Sequence, residues 1–202
     1  MKDNNRIKLK DNFKEKLFKN AYAVIILAVG ISIILLRANN GSLNNHPFLG
    51  IRLDSDLVNL YGFLLIILII TIPGTIILTY FHELIHRSIA RKLGYIANFE
   101  VVINWKKLKI KEAVCHFGKE ETIQRNKFVL ILMGPLITFF SLSFIIFFIE
   151  NFLLSVSAMF LIALKLIGCS GDLLMFIQAM KKTSREDSLK YDGNKSFTII
   201  KG

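Results

Sequence analysis

Two long stretches without a charged side chain constrain this chain more than any other feature. Residues Leu57–Phe81 and Phe128–Ile149 each run for over 20 residues without a Lys, Arg, Asp or Glu. A helix of about 20 apolar residues is long enough to cross a hydrocarbon core about 30 Å thick. Charged residues make up only 20% of the chain. The sequence therefore excludes a soluble single domain and a disordered chain, and it predicts a mainly α-helical integral membrane protein.

Four apolar segments can each form a span, which predicts a single membrane domain over residues 1–202. The predicted spans are residues 20–36, 57–86, 128–149 and 152–180. We expect a kink at Pro73-Gly74 in the second span, because proline removes a helical hydrogen bond. Only Glu150 and Asn151 separate the last two spans, which predicts a tight helical hairpin.

The basic residues set the expected orientation in the cell membrane. Lys and Arg number seven in residues 1–19, one in 38–56, ten in 87–127 and six in 181–202. Cytoplasmic loops of membrane proteins carry such an excess. We therefore expect a multi-pass protein with a cytoplasmic basic N-terminus (1–19), a cytoplasmic insertion (87–127) and a cytoplasmic tail (181–202). A cleaved signal peptide is the competing interpretation, but no small-x-small pattern follows Leu36, which favours an uncleaved anchor helix.

The formal charge of +11 has the same explanation. No aromatic residues interleave with the basic runs as a strand-binding groove requires, so no nucleic-acid partner is expected. The lipid bilayer is the expected partner. The two cysteines, Cys115 and Cys169, fall in different environments of the predicted map, so a disulfide is not expected.

The cytoplasmic insertion changes from helical to alternating periodicity. Apolar residues recur at every second position, at Phe99, Val101, Ile103 and Trp105, then at Leu108 and Ile110, then at Ala113, Cys115 and Phe117. A period of two indicates strands with one buried face. We expect two or three short strands against the membrane surface, and Ser196–Ile200 can add another.

A metal-binding pattern stands at the cytoplasmic end of the second span, in His82-Glu83-Leu84-Ile85-His86. Residues four apart share one face of a helix, so His82 and His86 can hold one metal ion. Glu83 lies about 100° further round the helix, where it can act on a water rather than bind the ion. The pattern is typical of zinc hydrolases. The alternative is an interfacial helix end with two unrelated histidines.

Asp172 is the candidate for a third ligand, because a catalytic zinc site usually has three protein ligands and an open position. It lies in the fourth span at about the depth of His82. A carboxylate inside an apolar span is costly unless it is paired or metal-bound. Its alternative role is that of an interfacial residue near Lys181. Cys169 is a weaker alternative ligand, one turn away, or a small packing residue.

Three further residues are expected to shape the site. Lys165 lies on the same face as Asp172 and near the middle of the span, where a lysine usually faces a polar interior. Gly134-Pro135 lies near the depth of His82, where the pair can free backbone groups and open room between helices, or merely assist packing. His46 and His116 are expected to be ordinary loop residues.

With these residues assembled, the chain resembles the Putative zincin peptidase family of small bacterial membrane proteins over most of residues 57–200. The resemblance rests on the His82–His86 pattern and on Gly171-Asp172-Leu173-Leu174-Met175, supported by the strand-forming segment, Gly134-Pro135 and the tail Ser188–Gly193. More distantly the chain is similar to site-2 proteases, although it lacks their Asn- and Pro-rich context before the third ligand. The resemblance implies a zinc ion bound by His82, His86 and Asp172, with Glu83 as catalytic base.

The expected function is that of an integral membrane zinc metallopeptidase, which cleaves a peptide or membrane-protein substrate at the cytoplasmic side. In this hypothesis Glu83 takes a proton from the attacking water. The alternative is a non-catalytic membrane adaptor or protective protein with a structural metal site or none. A small transporter is a third class, but the chain lacks the inverted repeats expected of one.

Overall fold

The protein is mainly helical, as the sequence predicts, and its strands form two small antiparallel sheets. The computed structural model describes residues 6–8, 13–37, 57–104, 109–118, 121–145, 148–149, 152–193 and 196–202. Its helices are α1 (Phe13–Arg37), α2 (Leu57–Lys92), α3 (Arg125–Ile145), α4 (Phe152–Gly168) and α5 (Ser170–Lys182). Its strands are β1 (Arg6–Lys8), β2 (Ala97–Asn104), β3 (Lys109–Phe117), β4 (Thr122–Gln124), β5 (Ser188–Gly193) and β6 (Ser196–Ile200).

Three helical stretches of the described chain are long and apolar enough to cross a membrane. They are Ile69–Lys92, Arg125–Ile145 and Leu154–Lys182, and most of each stretch is exposed on the outside of the protein. Apolar side chains such as Ile77, Ile137 and Phe140 point outward along them. Such exposure suits a lipid environment, where an apolar surface needs no cover. Helix α1 covers the predicted first span, whose crossing stays a prediction.

Several observed helix ends differ from the ends of the predicted spans. Helix α2 runs through Pro73 without a break and continues past His86 to Lys92. Helix α3 begins at Arg125, three residues before the predicted start of the third span, and is described as far as Ile145. Glu150 and Asn151 lie outside the described residues, so the tight connection to the fourth span stays a prediction. The length of an apolar segment shows how much of the chain can lie in the hydrocarbon core of a bilayer. A helix ends elsewhere, where its last backbone groups find capping partners.

The end of α2 shows such a cap. Gly94 adopts a positive φ of 89°, which costs glycine nothing because it has no Cβ. Its N–H donates to the Arg91 carbonyl, and the Tyr95 N–H donates to the Ala90 carbonyl, both at 3.0 Å. This pair of bonds is the Schellman motif, which satisfies the last carbonyls and turns the chain into β2.

The predicted fourth span is two helices rather than one. Helix α4 ends at Gly168, and α5 begins at Ser170. Cys169 between them keeps near-helical dihedral angles, φ −71° and ψ −3°, and its side chain does not cap α5. Glycine is a poor helix former and Ser170 competes for backbone bonds, which explains the interruption. The break places Asp172 in the first turn of α5, where a negative charge is favourable.

The two sheets bring distant parts of the chain together. Strands β2 and β3 form a hairpin, with Ala97 opposite Phe117 and a register shift after Val102. The other sheet has the order β1-β6-β5-β4, and all its pairs are antiparallel. The predicted strand at Ser196–Ile200 is confirmed as β6, and the predicted insertion strands are β2, β3 and β4. Trp105 and Leu108 lie outside the described residues. Strands β1 and β5 were not predicted.

Aromatic rings join this four-stranded sheet to the helices. Phe197 packs 4.6 Å from Phe128 of α3 and 5.2 Å from Tyr191, measured between ring centroids. Phe117 at the end of β3 packs edge-on to the same rings. The apolar cluster around them also contains Ile7 of β1, which is fully buried. These contacts therefore hold the four-stranded sheet against α3.

Asp187 fastens the turn between α5 and β5. The Ser184 N–H donates to its Oδ2 at 2.8 Å, and the Gly202 N–H donates to its Oδ1 at 3.2 Å. Lys201 Nζ lies 3.3 Å from Oδ2. The Ser184 N–H in particular lowers the pKa of this carboxyl from 3.8 to about 2. The ionised side chain thus holds residues 201–202 against the turn.

We expect this carboxylate to make stability fall in acid. The pKa of this carboxyl is lower in the folded than in the unfolded state. Its contribution to the stability of the folded state is therefore complete above pH 3.8 and is lost as the pH falls toward about 2. In Asp187→Asn the thermal midpoint in detergent should be lower at neutral pH and should depend less on pH over that interval. Lys201→Met keeps both backbone donors, so it should change the pH dependence of the thermal midpoint only slightly. If the thermal midpoint of Asp187→Asn depends on pH as strongly as that of the parent, Asp187 is not the source of the acid sensitivity.

Candidate metal centre

The two histidines of the sequence pattern face inward on one side of α2. His82 and His86 are each 6% exposed, and Glu83 is 7% exposed. The four-residue spacing brings the two imidazole rings to 4.7 Å between centroids, nearly perpendicular to each other. Their Nε2 atoms are 3.2 Å apart. The His82 ring also lies almost parallel to the Phe139 ring of α3, with 6.3 Å between the ring centroids. The Phe139 ring thus helps to fix the orientation of the His82 ring.

Asp172 joins them from α5. Its Oδ2 lies 3.0 Å from His82 Nε2 and 3.4 Å from His86 Nε2. Within the described chain no hydrogen-bond donor is directed at this buried oxygen, although both nitrogens are close. The side chain retains 20% exposure, against 7% for each histidine. The three donor atoms therefore converge in the protein interior, and the Asp172 side is the more open one.

The spacing of these atoms suits a tetrahedral cation. Ligand bonds of about 2.0–2.1 Å at tetrahedral angles place neighbouring ligand atoms about 3.3 Å apart. The three observed separations are 3.0, 3.2 and 3.4 Å. Two imidazole nitrogens and one carboxylate oxygen are also a donor set that zinc accepts in catalytic sites. The residues present thus fit a zinc ion with a fourth position left for another ligand.

Glu83 lies beside this cluster without being part of it. Its Oε1 is 4.0 Å from His82 Nε2, and among the described residues the group of converging donors contains only His82, His86 and Asp172. The rotation from His82 to the next residue on the helix explains the offset. A carboxylate at this distance can reach a water bound near the cluster.

The far nitrogens of both rings also have partners. His86 Nδ1 donates to the Ile131 carbonyl of α3 at 2.8 Å. His82 Nδ1 lies 3.6 Å from the Cys169 Sγ at the break between α4 and α5. Cys169 therefore faces the nitrogen opposite the converging donors, and its alternative prediction as a metal ligand is wrong. Metal-binding histidines commonly have such an outer partner, which orients the ring.

Lys165 is buried one layer behind the cluster. Its Nζ donates to Thr79 Oγ1 at 3.4 Å and lies 6.0 Å from the centroid of the Phe139 ring. That ring is the one that packs against His82. Lys165 is thus brought near the site through Phe139, rather than into the group of converging donors.

The β2–β3 hairpin packs on the face of α2 next to Glu83. The Phe99 ring lies edge-on to Tyr80 at 5.0 Å, and the Arg87 guanidinium lies over the Phe99 ring, 5.6 Å from its centroid. Cys115 pairs with Phe99 across the hairpin. Burial, with a smaller effect from the Glu83 charge, raises the pKa of the Cys115 thiol to about 12. This thiol stays protonated at neutral pH, which does not suit a nucleophile.

The remaining predicted residues fall in different places. Gly134 and Pro135 are buried in α3 against the histidine-bearing helix. His116 lies on β3, with its Nδ1 3.1 Å from the Tyr191 hydroxyl, so its prediction as a loop residue is wrong. His46 lies outside the described residues. The contact with the Ile131 carbonyl was not predicted from the sequence, although Pro135 four residues later is a signal for it.

Comparison with known proteins gives one family. A protein-family model described as Putative zincin peptidase matches residues 75–185. The matched range contains His82, Glu83, His86 and Asp172. No curated protein and no solved structure gives a significant match. Similarity to site-2 proteases stays a prediction.

Proposed function

Because this chain belongs to the Putative zincin peptidase family, whose model matches more than half of its 202 residues, we propose that it is a membrane-bound zinc metallopeptidase. The observation that carries the proposal is the convergence of His82 Nε2, His86 Nε2 and Asp172 Oδ2 within 3.4 Å of one another. Three buried ligand atoms this close repel one another unless a proton or a cation lies between them, and one cation can serve all three at once.

The three donors would hold the ion, and neighbouring groups would hold the donors. Ile131 and Cys169 orient the two rings through their far nitrogens. When bound, zinc supplies Lewis acidity toward a water and a peptide carbonyl. The more exposed side of Asp172 is the side from which a substrate would approach.

Glu83 is proposed as the general base. It accepts a proton from the water that attacks the peptide carbonyl and then returns this proton to the leaving amine. Its support is the 4.0 Å distance between Oε1 and His82 Nε2, together with its burial beside the hairpin. A structural metal site has no need of a carboxylate at this place.

The four-stranded sheet supports the proposed membrane topology. Strand β1 precedes α1, β4 lies between α2 and α3, and β5 follows α5, yet all belong to one sheet. A sheet lies on one side of a bilayer, so each pair of intervening spans must return the chain to that side. If α2 crosses, α1 crosses as well. The basic residues of the termini and of 87–127 favour the cytoplasm as that side.

The proposal is tested by metal-dependent cleavage of a peptide mixture. The detergent-purified protein should generate new peptide N-termini that mass spectrometry detects. Treatment with a strong chelator should abolish them, and added zinc should restore them, because the bound cation is required for the chemistry. Cleavage that continues after zinc has been removed, as verified by metal analysis, would contradict the proposal. The substrate sequence preference would follow from the same data.

A further inference from the structure

The Ile131 carbonyl lacks its ordinary partner in α3. In an α-helix the carbonyl of each residue accepts a hydrogen bond from the N–H four residues later. Residue 135 is proline, which has no N–H, and its ring also pushes the carbonyl of the residue four positions earlier aside. Ile131 is 2% exposed, so water does not readily replace the missing donor. A buried carbonyl without a donor is costly.

His86 supplies the missing donor. Its Nδ1 lies 2.8 Å from the Ile131 carbonyl oxygen. Since a carbonyl can only accept, the hydrogen of the neutral ring must be on Nδ1. The Nε2 atom then carries a lone pair, and it is the atom that lies 3.2 Å from His82 Nε2 and 3.4 Å from Asp172 Oδ2.

Gly134 allows the two helices to approach closely enough for this bond. A Cβ added at Gly134 would lie 2.1 Å from Ile89 Cδ1 and 3.5 Å from Ile85 Cγ2, both on α2. The 2.1 Å contact requires the end of the Ile89 side chain to move, whereas 3.5 Å is an ordinary van der Waals distance. Ile85 and Ile89 flank His86 along α2, so any larger residue at position 134 would press on the same turn.

We propose that Pro135 is a positioning residue for the metal centre: it frees the Ile131 carbonyl to hold His86 in the tautomer that presents Nε2 to the cation. Gly134 assists by allowing the close approach of α3. The proposal rests on the proposed function for its purpose, because a ring orientation of this kind matters only if His86 binds a metal. The Gly134-Pro135 pair then positions His86 in addition to packing between the helices.

The test compares Pro135→Ala with Pro73→Ala. Alanine at 135 restores an N–H that competes for the Ile131 carbonyl, and alanine is the best helix former, so the fold should be retained. Pro73 is an exposed proline within α2 itself, and its replacement is the matched control. Zinc affinity is measured by competition with a chromophoric chelator. The tautomer of His86 is measured by ¹⁵N NMR on the metal-free protein.

We expect Pro135→Ala to lower zinc affinity by about 10- to 100-fold, the usual effect of losing an outer partner. In the metal-free variant the His86 signal should move from the Nδ1–H form toward a mixture of tautomers. Pro73→Ala should match the parent in both measurements. An unchanged His86 tautomer in Pro135→Ala, or an equal loss of affinity in Pro73→Ala, would overturn the inference. A parent that binds no zinc would defeat the proposed function alone, because the NMR measurement on metal-free protein still decides the role of Pro135.

Discussion

Asp172→Ala should purify with far less zinc than the parent, which we expect to hold about one ion per chain. The replacement removes one of three donors that lie within 3.4 Å of one another. Loss of an outer partner lowers metal affinity by about 10- to 100-fold, and loss of a direct ligand should cost more. Metal analysis of the detergent-purified proteins measures this, and chelator competition gives the change in affinity.

The control for this prediction is Asp192→Ala. Asp192 is an exposed acid on β5, outside the group of converging donors. Its removal lowers the negative charge of the chain by the same amount and should leave the zinc content unchanged. Equal zinc in the parent and in Asp172→Ala would contradict the three-ligand site. A parent without zinc, even when zinc is supplied, would favour the adaptor interpretation, in which His82 and His86 are interfacial residues.

Glu83→Gln should abolish peptide cleavage while keeping the metal. Glutamine has nearly the same shape as glutamate, but it cannot accept the proton of the attacking water. General-base catalysis contributes about 10²- to 10⁴-fold, so turnover should fall by that factor. Zinc content should equal that of the parent, because Glu83 is not among the three converging donors. Cleavage rate and zinc content should be measured on the same preparations.

Glu100→Gln is the matched control, since Glu100 is exposed on the neighbouring strand β2. It should retain both cleavage and zinc. If Glu83→Gln cleaves as fast as the parent, Glu83 is not the base. If cellular function survives the replacement, the protein acts through something other than hydrolysis, as an adaptor would. An inactive Glu83→Gln protein that keeps its zinc can also serve to capture substrates.

The helices and most strands follow from local patterns in the sequence. Uncharged stretches identify the long helices, and alternation from Phe99 onward identifies the hairpin. Strands β1 and β5 could not be predicted from local sequence patterns, and the cause is physical. Strand β1 is Arg6-Ile7-Lys8, with one apolar residue in a basic segment, and its pairing with β6 near the end of the chain is what makes it a strand. Short strands owe their existence to partners that a local pattern does not contain.

The features of the site also divide into those that local sequence patterns predict and those that they do not. His82, Glu83 and His86 follow from spacing on one helix, and Asp172 could be proposed by comparing depth along two spans. The break at Cys169 depends on small residues whose effect is decided by packing. The partner of His86 is a backbone carbonyl, which has no signature of its own in a sequence. Only the proline four residues later indicates that this carbonyl is free.

The strand order β1-β6-β5-β4 also fixes a sequence of events during synthesis. Strand β1 leaves the ribosome before any of the five helices, and its partner β6, which ends at residue 200, leaves after all of them. At about 5–20 residues per second, translation of the intervening chain takes roughly 10–40 seconds. Throughout that interval Ile7 lacks the neighbours that bury it completely in the finished protein. The helices that carry His82 and Asp172 are therefore made before this sheet can close, and β1 can join β6 only after all five helices have been synthesised.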